Sequence, residues 1–248
     1  MKTGIGILDL YDDESLKDLL SKVPQDAYIS VISNRKNPYK PEVDNYISVG
    51  DSSLANMKNL LLYDFRIKNL DYYYLIHTDQ VLNDADDFNK IKKISETFGT
   101  WFLTGNIGDK TLDIEDDNGS VLKLSQKLNS KFLFTFKGIL KNVGFFDERF
   151  INTQNLDVLD YIIRLKQKNL YVADGYYPTI SLPIVENRKT MSNAYIQDFP
   201  SEEMSVRHSY GLFVHLHKYI PNHSDPQPKK EEEVLNSVEN LQKNYSKK

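Results

Sequence analysis

The stretch Asp71-Tyr72-Tyr73-Tyr74-Leu75-Ile76-His77-Thr78-Asp79-Gln80-Val81 decides how the chain is read. Tyr72 to Ile76 is an unbroken aromatic and aliphatic run, which suits a strand buried on both faces in the middle of a parallel sheet. It stops at three polar side chains, His77, Thr78 and Asp79. In open α/β sheets, ligands bind beyond the carboxyl ends of the strands. A carboxylate in that place can hold a hard cation, and the cation a diphosphate. It can equally cap the turn that ends the strand.

The segments on either side supply the context. Gly4 to Leu10 reads as a first buried strand. Glu14 to Val23 carries Leu16, Leu19, Leu20 and Val23 at helical spacing behind Asp12 or Asp13 as N-cap. Ala27 to Ile32 is a second strand, running into the polar loop Ser33-Asn34-Arg35. Tyr46 to Val49 is a short third strand, and Ser52 to Ile67 a helix with a wide apolar face that leads into the quoted stretch. This alternation predicts a doubly wound, mainly parallel α/β sheet flanked by helices, joined by right-handed crossovers. Further on, the pattern predicts a helix over 88–98, strands over 100–104 and 131–136, a short helix over 138–143, a helix over 157–168 and a last strand over 170–173. The acidic run within 105–120 suits a solvated loop or hairpin.

From Asp174 onward the pattern is irregular, punctuated by Pro178, Pro183, Pro200, Pro221, Pro226 and Pro228. The expected organisation is a core domain over 1–180 and a wrapping extension over 181–248 that ends in an amphipathic helix near 231–245. The net charge of −4 gives no overall pull towards nucleic acid or anionic membrane. With no cysteine, thiolate metal sites and disulfides are excluded, so a metal would sit on oxygen or imidazole. No stretch has the length or apolarity of a signal peptide core or a membrane span, and a cytoplasmic location is expected.

Three segments carry a resemblance, in order along roughly residues 1–180. The helix holding Ala55-Asn56-Met57-Lys58-Asn59, followed by Asp71 to Asp79, resembles the helix, strand and DXD metal motif of GT-A-fold glycosyltransferases, especially the family 2-like and galactosyltransferase-like inverting enzymes. Lys137-Gly138-Ile139-Leu140-Lys141-Asn142-Val143-Gly144-Phe145-Phe146-Asp147-Glu148-Arg149-Phe150 resembles their Gly-Phe-Asp-Glu segment. Asp157-Val158-Leu159-Asp160-Tyr161-Ile162-Ile163-Arg164-Leu165 resembles their late acidic helix.

The resemblance implies a metal-dependent, inverting transfer of a sugar from a nucleoside diphosphate sugar, a UDP-sugar by preference, to an acceptor hydroxyl. That acceptor is a glycan, glycolipid, protein or modified nucleic acid. Asp79 falls at the last acidic position of the DXD motif and would hold Mn or Mg. His77 stands at the first, where it would assist the metal or touch the nucleotide. Asp157 would be the base, since Val158 occupies the family's usual base position. The pair Asp160 and Arg164, four apart on one helix, also suits a simple ion pair. Tyr11 would stack on the base, Asn34 hydrogen-bond its edge, Arg35 meet phosphate, and Asn59 reach ribose or pyrophosphate. His208, His215 and His217 are candidates for a late metal ligand, and Lys218 for a late cation on the diphosphate. His77 and Val158, where the family prefers carboxylates, equally suit a GT-A-derived nucleotide- or glycan-binding protein without catalysis. A sugar nucleotidyltransferase shares the sheet, but no Gly-rich, basic phosphate loop follows the first strand.

Overall fold

A computed structural model describes residues 1–36, 38–50, 52–100, 102–105, 111–125, 128–150, 156–168, 170, 177–180, 208, 212 and 215–217. The expected strand end at 171–173, the helix near 231–245 and most of the extension lie outside them.

The amino-terminal half is built as the hydrophobic pattern demands. β1 (Thr3–Asp9) lies between β2 (Tyr28–Ser33) and β4 (Tyr72–His77), and β3 (Asn45–Ser48) lies outside β2. All three pairings are parallel. The side chains of β1 and β4 alternate between two cores, as a strand's period of two requires. Ile5, Ile7, Tyr72, Tyr74 and Ile76 pack on one face with Leu16 and Leu19 of α1 (Asp13–Leu20) and with Phe88, Ile91 and Phe98 of α3 (Asp86–Phe98). Leu8, Tyr73 and Leu75 pack on the other with Met57, Leu61 and Phe65 of α2 (Leu54–Ile67). Helices therefore cover both faces, which is why β4 is aromatic or aliphatic from Tyr72 to Ile76.

α1 and α2 start where their caps dictate: Asp12 and Ser53 accept the amides of Ser15 and Asn56. α2 lies directly on β1 because Gly4 and Gly6 leave room. A Cβ on Gly6 would come within 2.9 Å of Leu61 and 3.0 Å of Leu75.

Beyond β4 the sheet turns mixed. β8 (Asn129–Phe136) runs antiparallel between β4 and β5 (Phe102–Gly105). β9 (Tyr177–Ile180) lies parallel to β5 and antiparallel to β7 (Val121–Ser125), which forms a hairpin with β6 (Thr111–Glu115). The order is β3-β2-β1-β4-β8-β5-β9-β7-β6. The acidic run is thus a hairpin, its turn closed by Gly119 at φ 75°. α4 (Lys137–Val143) and α5 (Leu156–Gln167) join α2 on its face, through Ile139, Leu140, Val158, Tyr161 and Leu165.

This is the mixed α/β architecture, with a large central sheet flanked by helices, that the sequence predicts; β8 and β7 are the strands that run against the parallel pattern, and β8 is the one beside β4. Its reversal has one consequence for the site: the start of β8 lies at the carboxyl end of β4. Among the described residues no helix is long and apolar enough to cross a membrane.

Candidate functional site at the end of strand β4

Strand order reverses between β1 and β4: the chain passes from β1 out to β2 and β3, then returns to the other side of β1. At such a switch point the two following loops diverge and leave a crevice. Thr78 seals its floor. Its amide donates to the Leu8 carbonyl at 3.1 Å, and its hydroxyl lies 3.4 Å from the Leu10 amide.

Asp79 sits on this floor, 3% exposed. The Tyr11 hydroxyl donates to its Oδ2 at 2.8 Å, and the Lys131 ammonium, from the start of β8, bonds the same oxygen. Among the described residues Oδ1 has only the Gln80 amide nitrogen, at 3.5 Å. Burial opposes ionisation of Asp79, but His77, Lys131 and the Tyr11 hydroxyl outweigh it and hold its pKa below the ordinary value. The imidazole of His77 is itself pushed down to about 3, by burial first and then by the Lys58 ammonium. Lys131 is accordingly the cation that holds Asp79 ionised at neutral pH.

His77 is enclosed, and its Nε2 has no hydrogen-bond partner among the described residues. Near it, Lys58 of α2 pairs with Asp157 of α5 at 2.7 Å, both side chains fully buried. Asp157 therefore faces Lys58, and its Oδ1 is a buried oxygen without a described partner. One turn on, Asp160 binds Arg164 at 2.9 Å, the expected i, i+4 pair, and Arg164 also donates to the carbonyls of Val143 and Phe145.

A second ion network lies on the β1–β2 side. Asp9, fully buried, accepts both a 3.0 Å and a 3.2 Å bond from Nη1 of Arg35, whose Nη2 reaches Asp13 at 2.5 Å. Burial raises the pKa of Asp9 despite Ser33 and Arg35. Arg35, expected to meet phosphate, is thus occupied by two carboxylates. Asn34 is half-buried just after β2.

Asn59 does not face the crevice. It donates to the Phe146 carbonyl at 2.9 Å and to Glu148 at 2.8 Å, and accepts from the Phe146 amide at 2.8 Å. With Asn56, which also reaches Glu148, it clamps the Phe145-Phe146-Asp147-Glu148 turn to α2. The turn's similarity to a family motif thus corresponds here to a packing joint, with the Phe146 ring tilted against that of Tyr161 at 4.5 Å between centroids.

Of the late histidines, His208 and His215 are exposed, whereas His217 places Nε2 2.9 Å from Asp160 Oδ1. The described residues 215–217 are helical, so His215 and His217 diverge by roughly 200°. Lys218 lies outside the described residues.

Mn or Mg needs several oxygen or nitrogen donors around one point. Among the described residues no three His, Asp or Glu side chains gather in that way. Among the described residues Asp79 is the carboxylate that stands where the expected ion would lie, and its Oδ2 already holds Lys131. The donor set among the described residues does not fit a protein-held metal. The sequence points to no role for Lys131 or Lys58, which carry two of these contacts. Lys131 in particular becomes visible only once β8 is known to run antiparallel to β4.

No family model and no curated protein matches the chain. Solved structures match in fold. One is A197 from STIV, at 18% identity and TM-score 0.37, over 58% of this chain and 69% of that one. Another is the mannosyltransferase PcManGT from Pyrobaculum calidifontis in complex with GDP-Man and Mn2+, at 10% identity and TM-score 0.45; it shares 73% of this chain, which spans about half (54%) of its length. A nucleotide-diphospho-sugar transferase from Desulfovibrio desulfuricans G20 matches over 99% of both chains at 9% identity and TM-score 0.44. With TM-scores below 0.5, none of these assigns an activity to the chain.

Proposed function

We propose that the chain binds a nucleoside diphosphate sugar at the β1/β4 switch point and transfers the sugar to an acceptor hydroxyl. The observation that carries this reading is the group Tyr11, Asp79 and Lys131, gathered from three strand ends at the place where the topology opens a crevice. The ammonium supplies charge for a departing diphosphate. The half-buried Asn34 lies at the end of the neighbouring strand, in reach of a base bound over β1 and β2, and a uracil edge suits its amide. The three motif segments support glycosyl transfer over other uses of the same crevice.

Inversion requires a base within hydrogen-bond reach of the acceptor hydroxyl. Asp157 serves in that role only when its pair with Lys58 opens towards the crevice. The closed pair favours a second reading, a protein that binds the nucleotide or glycan and transfers nothing. A thermal-shift panel of UDP-, GDP- and CDP-sugars tests binding, because a ligand of the folded state alone raises Tm. A panel without any shift overturns transfer and nucleotide binding together, and the same assay with free glycans then tests the glycan-binding alternative. Nucleotide release from the bound donor, with and without added acceptor glycans, then separates them: none in either condition leaves the binding protein.

A further inference from the structure

The phosphates of a sugar nucleotide need a cation beside them, and the switch point already has one. Lys131 is anchored at one end and open at the other: its side chain is 38% exposed, while that of Asp79, which it binds, is 4% exposed. Its ammonium also lies 5.9 Å from the centre of the Tyr11 ring. An ammonium has three N–H donors. One is used by Asp79, and the exposed part of the side chain leaves the others open to a ligand.

A divalent ion has a poorer position. At Asp79 Oδ2 it must displace Lys131, and at Oδ1, which has the Gln80 amide at 3.5 Å, it would share one carboxylate with that ammonium. The neighbouring nitrogen donor, His77, is fully enclosed and lies in the field of both Lys58 and Lys131. A cation that reached it would shed its water in a pocket already bordered by two positive charges, a costly exchange.

We infer that Lys131 takes the place of a divalent metal: it stays on Asp79, with Tyr11 fixing the carboxylate, and binds the diphosphate directly. The variant motif around Asp79 would then be an ammonium holder. This inference rests on the nucleotide reading above. It differs from that reading in predicting that binding needs no metal.

The test is calorimetric titration of UDP and of GDP into the full chain, once in excess EDTA and once in Mn. The expected result is that one diphosphate binds with Kd values agreeing within about threefold in the two buffers, a gap under 1 kcal/mol. Lys131→Met should weaken that binding about tenfold or more, as loss of a charge-assisted phosphate contact does, while Lys131→Arg retains most of it. Circular dichroism and the unfolding midpoint confirm that both variants are folded, and Lys131→Gln replaces Lys131→Met if that one is not. Binding abolished by EDTA, or unchanged in a folded charge-neutral variant, overturns the Lys131 assignment and leaves the nucleotide reading standing. No binding of either diphosphate in both buffers overturns the two together.

Discussion

The hydroxyl of Tyr11 donates to Oδ2 of Asp79 at 2.8 Å, across the line where β1 meets β4. The bond joins two loops that diverge from neighbouring strands, so it shapes the crevice as well as the carboxylate. Tyr11→Phe keeps the ring and removes only the donor. Hydrogen bonds to charged groups contribute about 1.5–3 kcal/mol, and a stability loss of that order is expected in urea unfolding at neutral pH. The folded pKa of Asp79 is depressed from 3.8. Its ionised form therefore contributes stability above that value, lost as pH falls through the lower folded pKa. The deficit of Tyr11→Phe should shrink in the same acid range; a deficit that is constant with pH would show that the bond is not to the carboxylate.

Lys58 and Asp157 form a fully buried pair between α2 and α5 at 2.7 Å. Removing one partner strands the other charge, at a cost of about 3–5 kcal/mol, whereas replacing both by apolar groups of similar volume can be neutral. Lys58→Met and Asp157→Leu should each destabilise severely, and the double variant should recover most of the loss. A double-mutant cycle in denaturant measures this. Additive losses would mean that the two side chains do not act as a pair.

The parallel half of the fold was legible because its strands are buried on both faces and its helices carry a period of 3.6. The short runs at Gly4–Leu10 and Tyr72–Ile76 therefore declare themselves. The hairpin of β6 and β7 was less so, since both strands mix polar and apolar residues and only the turn at Gly119 marks them. Asp79 was legible as a carboxylate at a strand end. Its partner Lys131 was not, because 52 positions separate them and their meeting depends on the direction of β8. Asn59 shows the opposite limit. Its residue type and place on the helix match a ligand-binding position, yet its amide fits the Phe146 backbone at both ends.

Asn59→Ala removes three hydrogen bonds and leaves the Phe146 amide and carbonyl without their partner. Stranded buried polar groups cost about 1–3 kcal/mol each, so a drop of at least that order in unfolding free energy is expected. Donor affinity measured on the folded variant should be unchanged. A selective loss of affinity, with stability intact, would instead place Asn59 on the ribose or pyrophosphate.

Gly6 keeps α2 against β1. In Gly6→Val the new Cβ would lie 2.9 Å from Leu61 and 3.0 Å from Leu75, inside ordinary contact distance. Overpacking of this kind costs about 1–3 kcal/mol, and a β-branched residue adds methyls in the same gap. The unfolding midpoint should fall accordingly, and Gly6→Ala should fall less. A midpoint equal to the parent's would require that α2 moves off the sheet freely.

His77 gives a pH signature of its own. Its folded pKa is pushed down to about 3 from 6.5, by burial and by Lys58. Between those values the unfolded chain holds a proton on this imidazole that the folded chain does not. Stability therefore rises with pH across that window and is fully present above about 6.5, falling by about 1.4 kcal/mol per pH unit as the medium is acidified. Nε2 has no described partner, so His77→Leu gives up no hydrogen bond there, and apolar replacement of an unpaired buried polar group is neutral or stabilising. The variant should match or exceed the parent at pH 7 and lose stability less steeply between pH 6.5 and 4, as read from urea midpoints at each pH. Parallel pH profiles for the two proteins would show that His77 titrates as it does in the unfolded chain, and that the floor of the crevice is open to water.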